Sequence, residues 1–383
     1  MNTDPASTCD NNSIPKPKPT PTPSATQAVP ERMTREDVIT WPAADRLRWF
    51  SSLTYPHPNL LRTVEHLHEL MEPGNDIKVI ALIGPTGIGK TTLIDKCLHS
   101  LVQRFAPVRL PHEVPVAMVS APANGERSLS WRTMYRRMQT ACGGVLLDQQ
   151  RKAEVTNDEL TAVRADRIGL AQRREFLETE VRHRRVRLLG IDESHHLLRF
   201  GASDAMMDTL KSLADIQAET KLMLVGTYQI APLLTTYGQL ARRSAILHYK
   251  RYQLSAQPKD DSPTEDEAAF REVLKNVEED WPCEEVPNLQ AAWQFVMRAS
   301  LGSVGLMKMQ VTQLAALQLA HKSERVRKQD VRRAFKPPKM LDQIEAEMVD
   351  GEESLRGACY GEADLDDPGV AALWTPKRGQ RRA

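Results

Sequence analysis

The sequence predicts an α/β fold in which helices flank a parallel sheet, followed by a smaller helical part. Two runs of strand length each end in a polar motif, one beginning at Gly84 and the other at Asp192-Glu193. After residue 265 the apolar residues follow helical spacing instead. Strands that alternate with helical segments are typical of βαβ units, which build parallel sheets.

The first of these motifs is a phosphate-binding loop. The apolar run Val79–Ile83 has the length and β-branched content of a buried strand, and G-x-x-x-x-G-K-T follows it from Gly84 to Thr91. A helical pattern begins directly afterwards, and this strand–loop–helix context identifies the motif. Glycines let backbone N–H groups point at phosphate oxygens, Lys90 can reach the β- and γ-phosphates, and the Thr91 hydroxyl can ligate Mg²⁺.

The second motif is Asp192-Glu193, at the end of a strand-like run that begins at Val186. At the carboxyl end of a parallel strand this pair faces the ligand crevice. There we expect Asp192 to hold Mg²⁺, directly or through water, and Glu193 to polarise the water that attacks the γ-phosphate. The alternative is a helix N-cap without catalytic role. His195 and His196 suggest a metal site, but adjacent residues do not share one helix face, so we expect ordinary packing or hydrogen bonding.

Two later segments add candidates for the same chemistry. The predicted strand from Lys221 ends on Thr227, whose hydroxyl could hydrogen-bond the γ-phosphate or the attacking water, or could simply end the strand. Arg242 and Arg243 precede another predicted strand and lie too far along the chain to reach their own phosphate loop easily. They suit either an arginine finger that acts on a neighbouring copy or a surface ion pair.

Composition is that of an ordinary globular protein. The chain has 383 residues, 41% of them hydrophobic and 26% charged, and its net charge of +1 argues neither for nor against nucleic acid. The five cysteines are scattered without a C-x-x-C pair, which disfavours structural zinc and fits a reduced, cytoplasmic setting. No apolar run approaches the ~20 residues of a membrane span, and the N-terminus lacks the order of a signal peptide.

Changes of pattern along the chain predict four parts. Residues 1–31, rich in proline, threonine and serine, predict a disordered tail, with a proline-rich recognition peptide as the alternative. Residues 32–258 are expected to form the α/β core with a helical lead-in at residues 34–71, and residues 259–336 a helical lid. Residues 337–383 predict a flexible tail with a short apolar peptide that could dock on a partner.

Basic residues cluster in two places after the second predicted strand. A loop and the start of the next helix carry Arg127, Arg132 and Arg136. Residues 151–185 are strongly charged, Lys152 among them, and their apolar residues predict one or two long amphipathic helices. Because acidic residues are interleaved, this stretch is either a solvated face with i,i+4 ion pairs or a basic surface that meets phosphates.

The order of these parts resembles an AAA+ ATPase: phosphate loop, Asp-Glu strand, threonine-ended strand, arginine pair and helical lid. Within that group, Gly226-Thr227-Tyr228 followed by Gln239-Leu240-Ala241-Arg242-Arg243 resembles the TniB/TnsC transposition ATPases. The glycine-linked start of the lid, Gly302-Ser303-Val304-Gly305, shares that resemblance, which covers roughly residues 34–335.

This resemblance implies an ATP-dependent regulator of DNA transposition. Such proteins assemble on double-stranded DNA as homo-oligomeric rings or helical filaments with nucleotide at the subunit interfaces. They link a TniQ-like target-selection protein to a DDE transposase of the TnsB/TniA kind, and ATP turnover governs their disassembly. DNA contact comes from loops that face the pore, and the best matching residues here are Arg127, Arg132, Arg136 and Lys152.

The same resemblance assigns roles by motif. ATP would be bound by nine loop residues: Gly84, Pro85, Thr86, Gly87, Ile88, Gly89, Lys90, Thr91 and Thr92. Mg²⁺ would be held by Thr91 and Asp192. Catalysis would involve Lys90, Asp192, Glu193, Thr227, and Arg242 or Arg243 in trans. The lid departs from the family pattern because Lys308 is the only cation in its predicted helix from Ser303 to Ala320, so we expect slow hydrolysis.

Two other functions fit the same fold. An AAA+ switch ATPase in signalling or secretion would have no DNA role, and the basic face near Arg132 and Arg136 argues against it. A helicase loader would need a replicative helicase as its partner.

Overall fold

The computed structural model describes residues 33–72, 74–122, 130–144, 151–156, 159–164, 169–198, 204–216, 219–235, 238–255, 263–321 and 325–356. The predicted N-terminal tail and the apolar peptide expected near the C-terminus lie outside these residues. None of the helices within them combines the length and apolarity needed to cross a membrane.

Helices and strands are interspersed through the first two thirds of the chain, and every element after β7 in the described residues is a helix. In chain order they are α1 (Arg35–Val38), α2 (Ala43–Ser52), α3 (Pro58–Leu70), β1 (Val79–Ile83), α4 (Lys90–Phe105), β2 (Val116–Ser120), α5 (Trp131–Ala141), β3 (Arg151–Thr156), β4 (Glu159–Arg164), α6 (Leu170–His183), β5 (Leu188–Asp192), α7 (His195–Leu198), α8 (Asp204–Ala214), β6 (Lys221–Gly226), α9 (Ala231–Thr235), α10 (Gly238–Ala241), β7 (Ser244–His248), α11 (Glu265–Glu279), α12 (Trp293–Ala299), α13 (Val304–Leu319), α14 (Lys328–Ala334) and α15 (Pro338–Arg356).

Five parallel strands form the central sheet in the order β2-β5-β6-β1-β7, which confirms the predicted fold class. β1 lies between β6 and β7 with all its residues buried, so its sequence is continuously apolar. The register pairs Ile83 with Gly226, and β5 ends beside β6 at Asp192. Gly84, Asp192 and Thr227 therefore meet at the carboxyl edge of the sheet, where ligands of such folds bind.

Helices cover both faces of this sheet. Successive residues of a strand point to opposite faces. Accordingly, Val79, Ala81 and Ile83 pack in one apolar cluster with α5, α6 and α8. Ile80 and Leu82 pack in another with α3 and α4. The two clusters hold β1, and with it the start of the phosphate loop, rigidly in the core.

The helices after residue 263 build a third apolar cluster around the fully buried Trp281. Phe50 of α2 and Tyr252 also belong to it, so the helical lead-in packs against the lid. The Trp281 indole N–H donates to Gln318 Oε1 at 2.9 Å, which satisfies its buried polar atom. The lid predicted from helical spacing thus forms, while the boundaries set at residues 258 and 336 stay predictions.

The long helices expected across residues 151–185 are wrong for the first half of that stretch. Residues 151–164 form an antiparallel hairpin, β3 with β4, and only Leu170–His183 is helical. The register pairs Arg151 with Arg164. Four β-branched residues in the hairpin favour a strand over a helix: Val155, Thr156, Thr161 and Val163. The frequent charges concealed this signal.

The flexible tail expected from residue 337 is also wrong for its first part, because α15 runs to Arg356. Met348, Gly351 and Leu355 are buried at helical spacing, a stripe too narrow to detect in an otherwise polar segment. The carboxylate of Glu352 also accepts two bonds from Arg251, at 2.7 and 3.1 Å. The second half of α15 is therefore docked on the core.

Candidate active site

The phosphate-binding loop folds in the way its glycines require. Gly87 and Gly89 have φ angles of 78° and 103°, in the left-handed region that residues with side chains avoid. Gly84 has no space for a side chain, because a Cβ there would lie 2.8 Å from the carbonyl oxygen of Tyr249. Gly89 also caps α4, whose N-terminus carries partial positive charge. Loop and helix together can bind an anion.

Lys90 is the first residue of α4 and bridges the loop. Its Nζ donates to the carbonyl oxygens of Gly84 and Pro85 at 3.0 and 2.9 Å. Burial lowers the pKa of Lys90 to about 8, although the negative charges of Glu193 and Asp192 oppose this effect. A cation that is costly to keep buried gains strongly from an arriving phosphate, because the phosphate replaces its lost hydration.

The Asp-Glu motif forms a tight turn at the end of β5. Asp192 accepts the N–H of Glu193 at 2.7 Å, and Glu193 has a φ of 54°, which is strained for a non-glycine residue. Ser194 fixes the turn, because its N–H donates to Val225 O at 2.8 Å and its hydroxyl to Ile191 O at 2.6 Å. Burial raises the pKa of Asp192, while the bond from Glu193 opposes that rise. This turn places the Glu193 carboxylate close enough to the loop for its charge to act on Lys90.

Thr227 follows β6 at the same edge, and its Oγ1 is buried without a hydrogen-bond partner in the described part of the chain. A buried hydroxyl without a partner is costly, so its presence indicates that a ligand or water supplies the bond. Thr91, in contrast, is exposed at the start of α4 and can reach a metal ion. The polar groups here therefore fit a nucleotide phosphate with Mg²⁺.

A cavity of about 1060 Å³ is lined by Lys90, Thr91, Glu193 and Thr227. Its lining comes from the loop with Glu193 and Thr227, from one face of α4, from the connection between α2 and α3 with the first turns of α3, and from the start of α13. The part from α2 to α3 belongs to the helical lead-in and carries apolar and aromatic side chains: Leu53, Tyr55, Leu60, Leu61 and Val64. Such a wall suits a planar base, and the cavity is large enough for a nucleotide.

His57 anchors that wall. Its two ring nitrogens lie 2.9 Å from the Tyr252 hydroxyl and 3.1 Å from the Tyr249 hydroxyl. Burial lowers the pKa of His57 to about 4, so the ring stays neutral at physiological pH. Tyr249 also touches the loop through Gly84, so the network fixes the α2–α3 connection relative to the phosphate end.

The lid meets the phosphate loop through small residues. The Ser303 hydroxyl donates to Gly87 O at 2.9 Å, and a Cβ on Gly305 would lie 2.2 Å from the same oxygen. Lys308, one turn further on α13, also lines the cavity. Its Nζ lies 3.8 Å from the centroid of the Phe50 ring and donates to Phe50 O at 2.6 Å. This lysine is thus engaged with the lead-in rather than displayed as a free cation.

Arg242 and Arg243 lie at the opposite edge of the sheet. Arg243 O accepts the N–H groups of Lys78 and Val79, at the start of β1, at 2.8 and 3.1 Å. The five residues of β1 separate this edge from the phosphate loop by roughly 16 Å at the usual rise per residue. Arg243 is also paired with Asp215 at 3.3 Å, whereas Arg242 is exposed. Neither arginine reaches the phosphate loop of its own chain.

Of the residues predicted to contact DNA, Arg132 and Arg136 are exposed one turn apart on α5. Lys152 lies on β3 of the hairpin, not on a helix, and Arg127 falls outside the described residues. The described candidates thus lie in one part of the sequence, between β2 and α6.

The rings of His195 and His196, which follow Glu193, are in contact. Their ring centroids lie 4.2 Å apart, and His195 Nδ1 lies 3.4 Å from Glu193 Oε2. Ring packing and a polar contact of this kind agree with the expected packing or hydrogen bonding, and they also bring three potential metal ligands together at the start of α7.

Comparisons with known proteins agree with this architecture. Residues 75–234 match the family model described as AAA domain. The ORC1 protein of Aeropyrum pernix, solved in complex with DNA, aligns with a TM-score of 0.50 and 17% identity over 75% of this chain and 68% of that chain. The ORC2 protein of the same organism, solved as ADPNP–ADP complexes, aligns with a TM-score of 0.49 and 14% identity over 75% of this chain and 71% of that chain. No curated protein sequence matches the chain at a significant level.

The family match and the likeness to ORC1 establish the AAA+ P-loop fold. The AAA domain, which binds nucleotide, supports ATP hydrolysis as the enzymatic activity of the chain, as the two motifs predict.

Proposed function

We propose that this AAA+ ATPase assembles on double-stranded DNA with ATP held between neighbouring copies, and that it regulates DNA transposition as TniB/TnsC proteins do. One observation carries the proposal. The phosphate loop and the arginine pair occupy opposite edges of one sheet, about one strand length apart. A copy stacked on its neighbour can therefore bring an arginine to the neighbour's nucleotide, which makes turnover depend on assembly.

In the proposed reaction, each residue at the carboxyl edge has one task. Lys90 binds the β- and γ-phosphates, and Thr91 with Asp192 would hold Mg²⁺. When bound, Mg²⁺ neutralises charge on the phosphate oxygens. Glu193 accepts a proton from the attacking water, and the Thr227 hydroxyl donates to that water or to the γ-phosphate.

Of the two arginines, Arg242 is the better candidate for the trans finger. Arg243 is tied to Asp215 at 3.3 Å, and its backbone oxygen is fixed by Lys78 and Val79. Arg242 is exposed and lies one residue before that anchor. A guanidinium that reaches the γ-phosphate of a neighbour would stabilise charge on the phosphoryl oxygens.

DNA contact is assigned to the segment between β2 and α6. It contains the exposed Arg132 and Arg136 on α5, Lys152 on β3, and the cross-strand pair Arg151 and Arg164. Cations there would meet backbone phosphates without reading sequence, so binding should be sequence-tolerant and weaken with salt. The DNA complex of the ORC1 protein, which shares the fold, is compatible with this assignment.

The partners follow from the family resemblance alone: a TniQ-like target-selection protein and a DDE transposase. They give the proposal its transposition-specific part. An ATPase that binds duplex but neither of these partners would instead match a helicase loader.

A gel shift with duplex DNA tests the proposal. We expect the purified chain to bind duplex with a non-hydrolysable ATP analogue, to release it with ADP, and to bind more weakly as salt rises. Glu193→Gln should bind ATP, hydrolyse it slowly and hold duplex longer than the wild type. Arg132→Ala combined with Arg136→Ala should weaken DNA binding but leave nucleotide binding intact.

ATP hydrolysis without binding to duplex DNA under any nucleotide condition would contradict the DNA role. That result would favour a switch ATPase that acts on proteins. Pull-downs with a TniQ-like protein and a DDE transposase then test the transposition-specific part, with a replicative helicase as the competing partner.

A further inference from the structure

Three side chains on one turn bring metal-binding atoms together beside the nucleotide cavity. Glu193, His195 and His196 each offer one ligand atom, and these three atoms lie within 4.8 Å of one another. His195 Nδ1 is 3.4 Å from Glu193 Oε2. His196 Nδ1 is buried without a hydrogen-bond partner among the described residues. A buried imidazole nitrogen in this state indicates a missing ligand.

We propose that Glu193, His195 and His196 form a binding site for a borderline divalent cation, best matched by Zn²⁺, and that the bound ion stops ATP hydrolysis. The second half of this proposal depends on the role proposed above for Glu193, while the metal site itself does not.

The ligand set determines the choice of ion. Two imidazole nitrogens with one carboxylate suit Zn²⁺, whereas Mg²⁺ requires oxygen ligands and would stay with Thr91 and Asp192. Zinc bonds of about 2.0–2.2 Å in a tetrahedral arrangement place ligand atoms roughly 3.4 Å apart. The His195–Glu193 separation of 3.4 Å already matches that edge. A fourth position would remain open to water or a phosphate oxygen.

Charged groups around the site are balanced in favour of a cation. The carboxylates of Asp192 and Glu193 both act on Lys90, which shows that two negative charges share this corner with one positive charge. Lys90 is itself directed to the carbonyl oxygens of Gly84 and Pro85. The hydrogen bonds of Lys90 thus leave the Glu193 carboxylate available to a divalent ion.

Other soft ligands in the described part of the chain compete poorly. Burial raises the pKa of Cys97 and of Cys142 to about 12, so their thiolates are scarce at neutral pH, and Cys283 is also buried. Cys9 and Cys359 lie outside the described residues. A test is therefore cleanest in a chain that carries Cys9→Ser and Cys359→Ser.

A metal ion bound to Glu193 would affect ATP hydrolysis because it occupies a lone pair of the carboxylate. A Glu193 carboxylate that coordinates the ion no longer accepts a proton from the attacking water. The phosphate loop does not take part in the site, so nucleotide binding persists. Zinc would thus arrest the chain with ATP bound.

The first experiment titrates Co²⁺ alone into the full chain with the two cysteine substitutions, and follows the visible absorption typical of tetrahedral Co²⁺ before displacement by Zn²⁺. We expect one ion per chain. His196→Gln should weaken affinity by more than about tenfold, since even outer-shell partners typically contribute 10–100-fold. The matched control His66→Gln, at an exposed histidine of α3, should not change it.

No saturable Co²⁺ or Zn²⁺ binding, or equal affinity in His196→Gln and His66→Gln, would overturn the site. Glu193→Gln provides a second variant if His196→Gln fails to fold, and it too should weaken binding. These readouts use neither nucleotide nor DNA, so they separate the metal site from the proposed function. Zinc at saturation that leaves ATP turnover unchanged would refute the inhibitory role.

Discussion

Gly305 is the place where the lid touches the phosphate loop, and replacing it with alanine tests whether that contact matters. A Cβ at this position would lie 2.2 Å from Gly87 O and 2.8 Å from Gly89 N. Both atoms are backbone and belong to the loop, so neither can rotate away. Since such contacts need more than 3 Å, the lid and the loop would have to separate by about 1 Å.

The expected cost is that of overpacking a close-packed contact, about 1–3 kcal/mol, which corresponds to about a 5–150-fold loss in lid docking. The Ser303–Gly87 hydrogen bond of 2.9 Å would be strained by the same movement. Because the lid closes one side of the cavity, we expect Gly305→Ala to weaken ATP binding by a similar factor. Helix propensity acts in the opposite direction, favouring alanine by about 0.5–1 kcal/mol.

Titration with a fluorescent ATP analogue measures the affinity, and thermal unfolding measures stability. Gly238→Ala is the matched control, because nothing lies within 4 Å of its Cβ and the residue starts a helix. If Gly305→Ala binds nucleotide as tightly as Gly238→Ala and melts no lower, the lid does not seat on the loop in the way described.

Two further substitutions probe the charged contacts of the lid and of α15. Burial lowers the pKa of Lys308 from 10.5 to about 7. Between pH 7 and pH 10.5 the Lys308 amine therefore binds more protons in the unfolded chain than in the folded one, so it makes the free energy of unfolding rise with pH. Lys308→Met should remove this contribution, which denaturant unfolding at pH 7 and pH 9.5 would measure. An unchanged difference in unfolding free energy between the two pH values would refute the lowered pKa of Lys308. Glu352→Gln leaves the buried Arg251 without its carboxylate and should lower the free energy of unfolding by about 2 kcal/mol. The control Glu353→Gln breaks only an exposed pair with Arg356 and should change it by less than about 1 kcal/mol, and equal effects of the two would contradict the docking of α15.

The sequence predicts the nucleotide edge well because its signals are local. Val79–Ile83 is a strand with the bounds that the apolar run indicates, and Asp192 and Thr227 end their strands beside it. Because neighbouring parallel strands have their carboxyl ends at one edge of the sheet, these local signals also predict that the motifs lie close together.

The contacts that periodicity missed depend on tertiary packing. α15 is held by the buried Met348 and Leu355 and by Arg251, which lies 101 residues before its ion-pair partner Glu352. The aromatic partners of Lys308 come from the lead-in, and no local pattern indicates them. The β3–β4 hairpin was hidden for another reason, because its charged residues fit a helical face as well as a strand.

The central claim is that nucleotide sits between neighbouring copies, and mixing two inactive variants tests it most directly. Lys90→Ala removes phosphate binding but keeps the arginine, whereas Arg242→Ala keeps the phosphate loop but lacks the finger. With duplex DNA present, we predict that an equimolar mixture hydrolyses ATP well above the sum of the separate variants, because Lys90→Ala subunits supply Arg242 to their neighbours. A mixture no more active than that sum, from variants that still assemble, would contradict the claim.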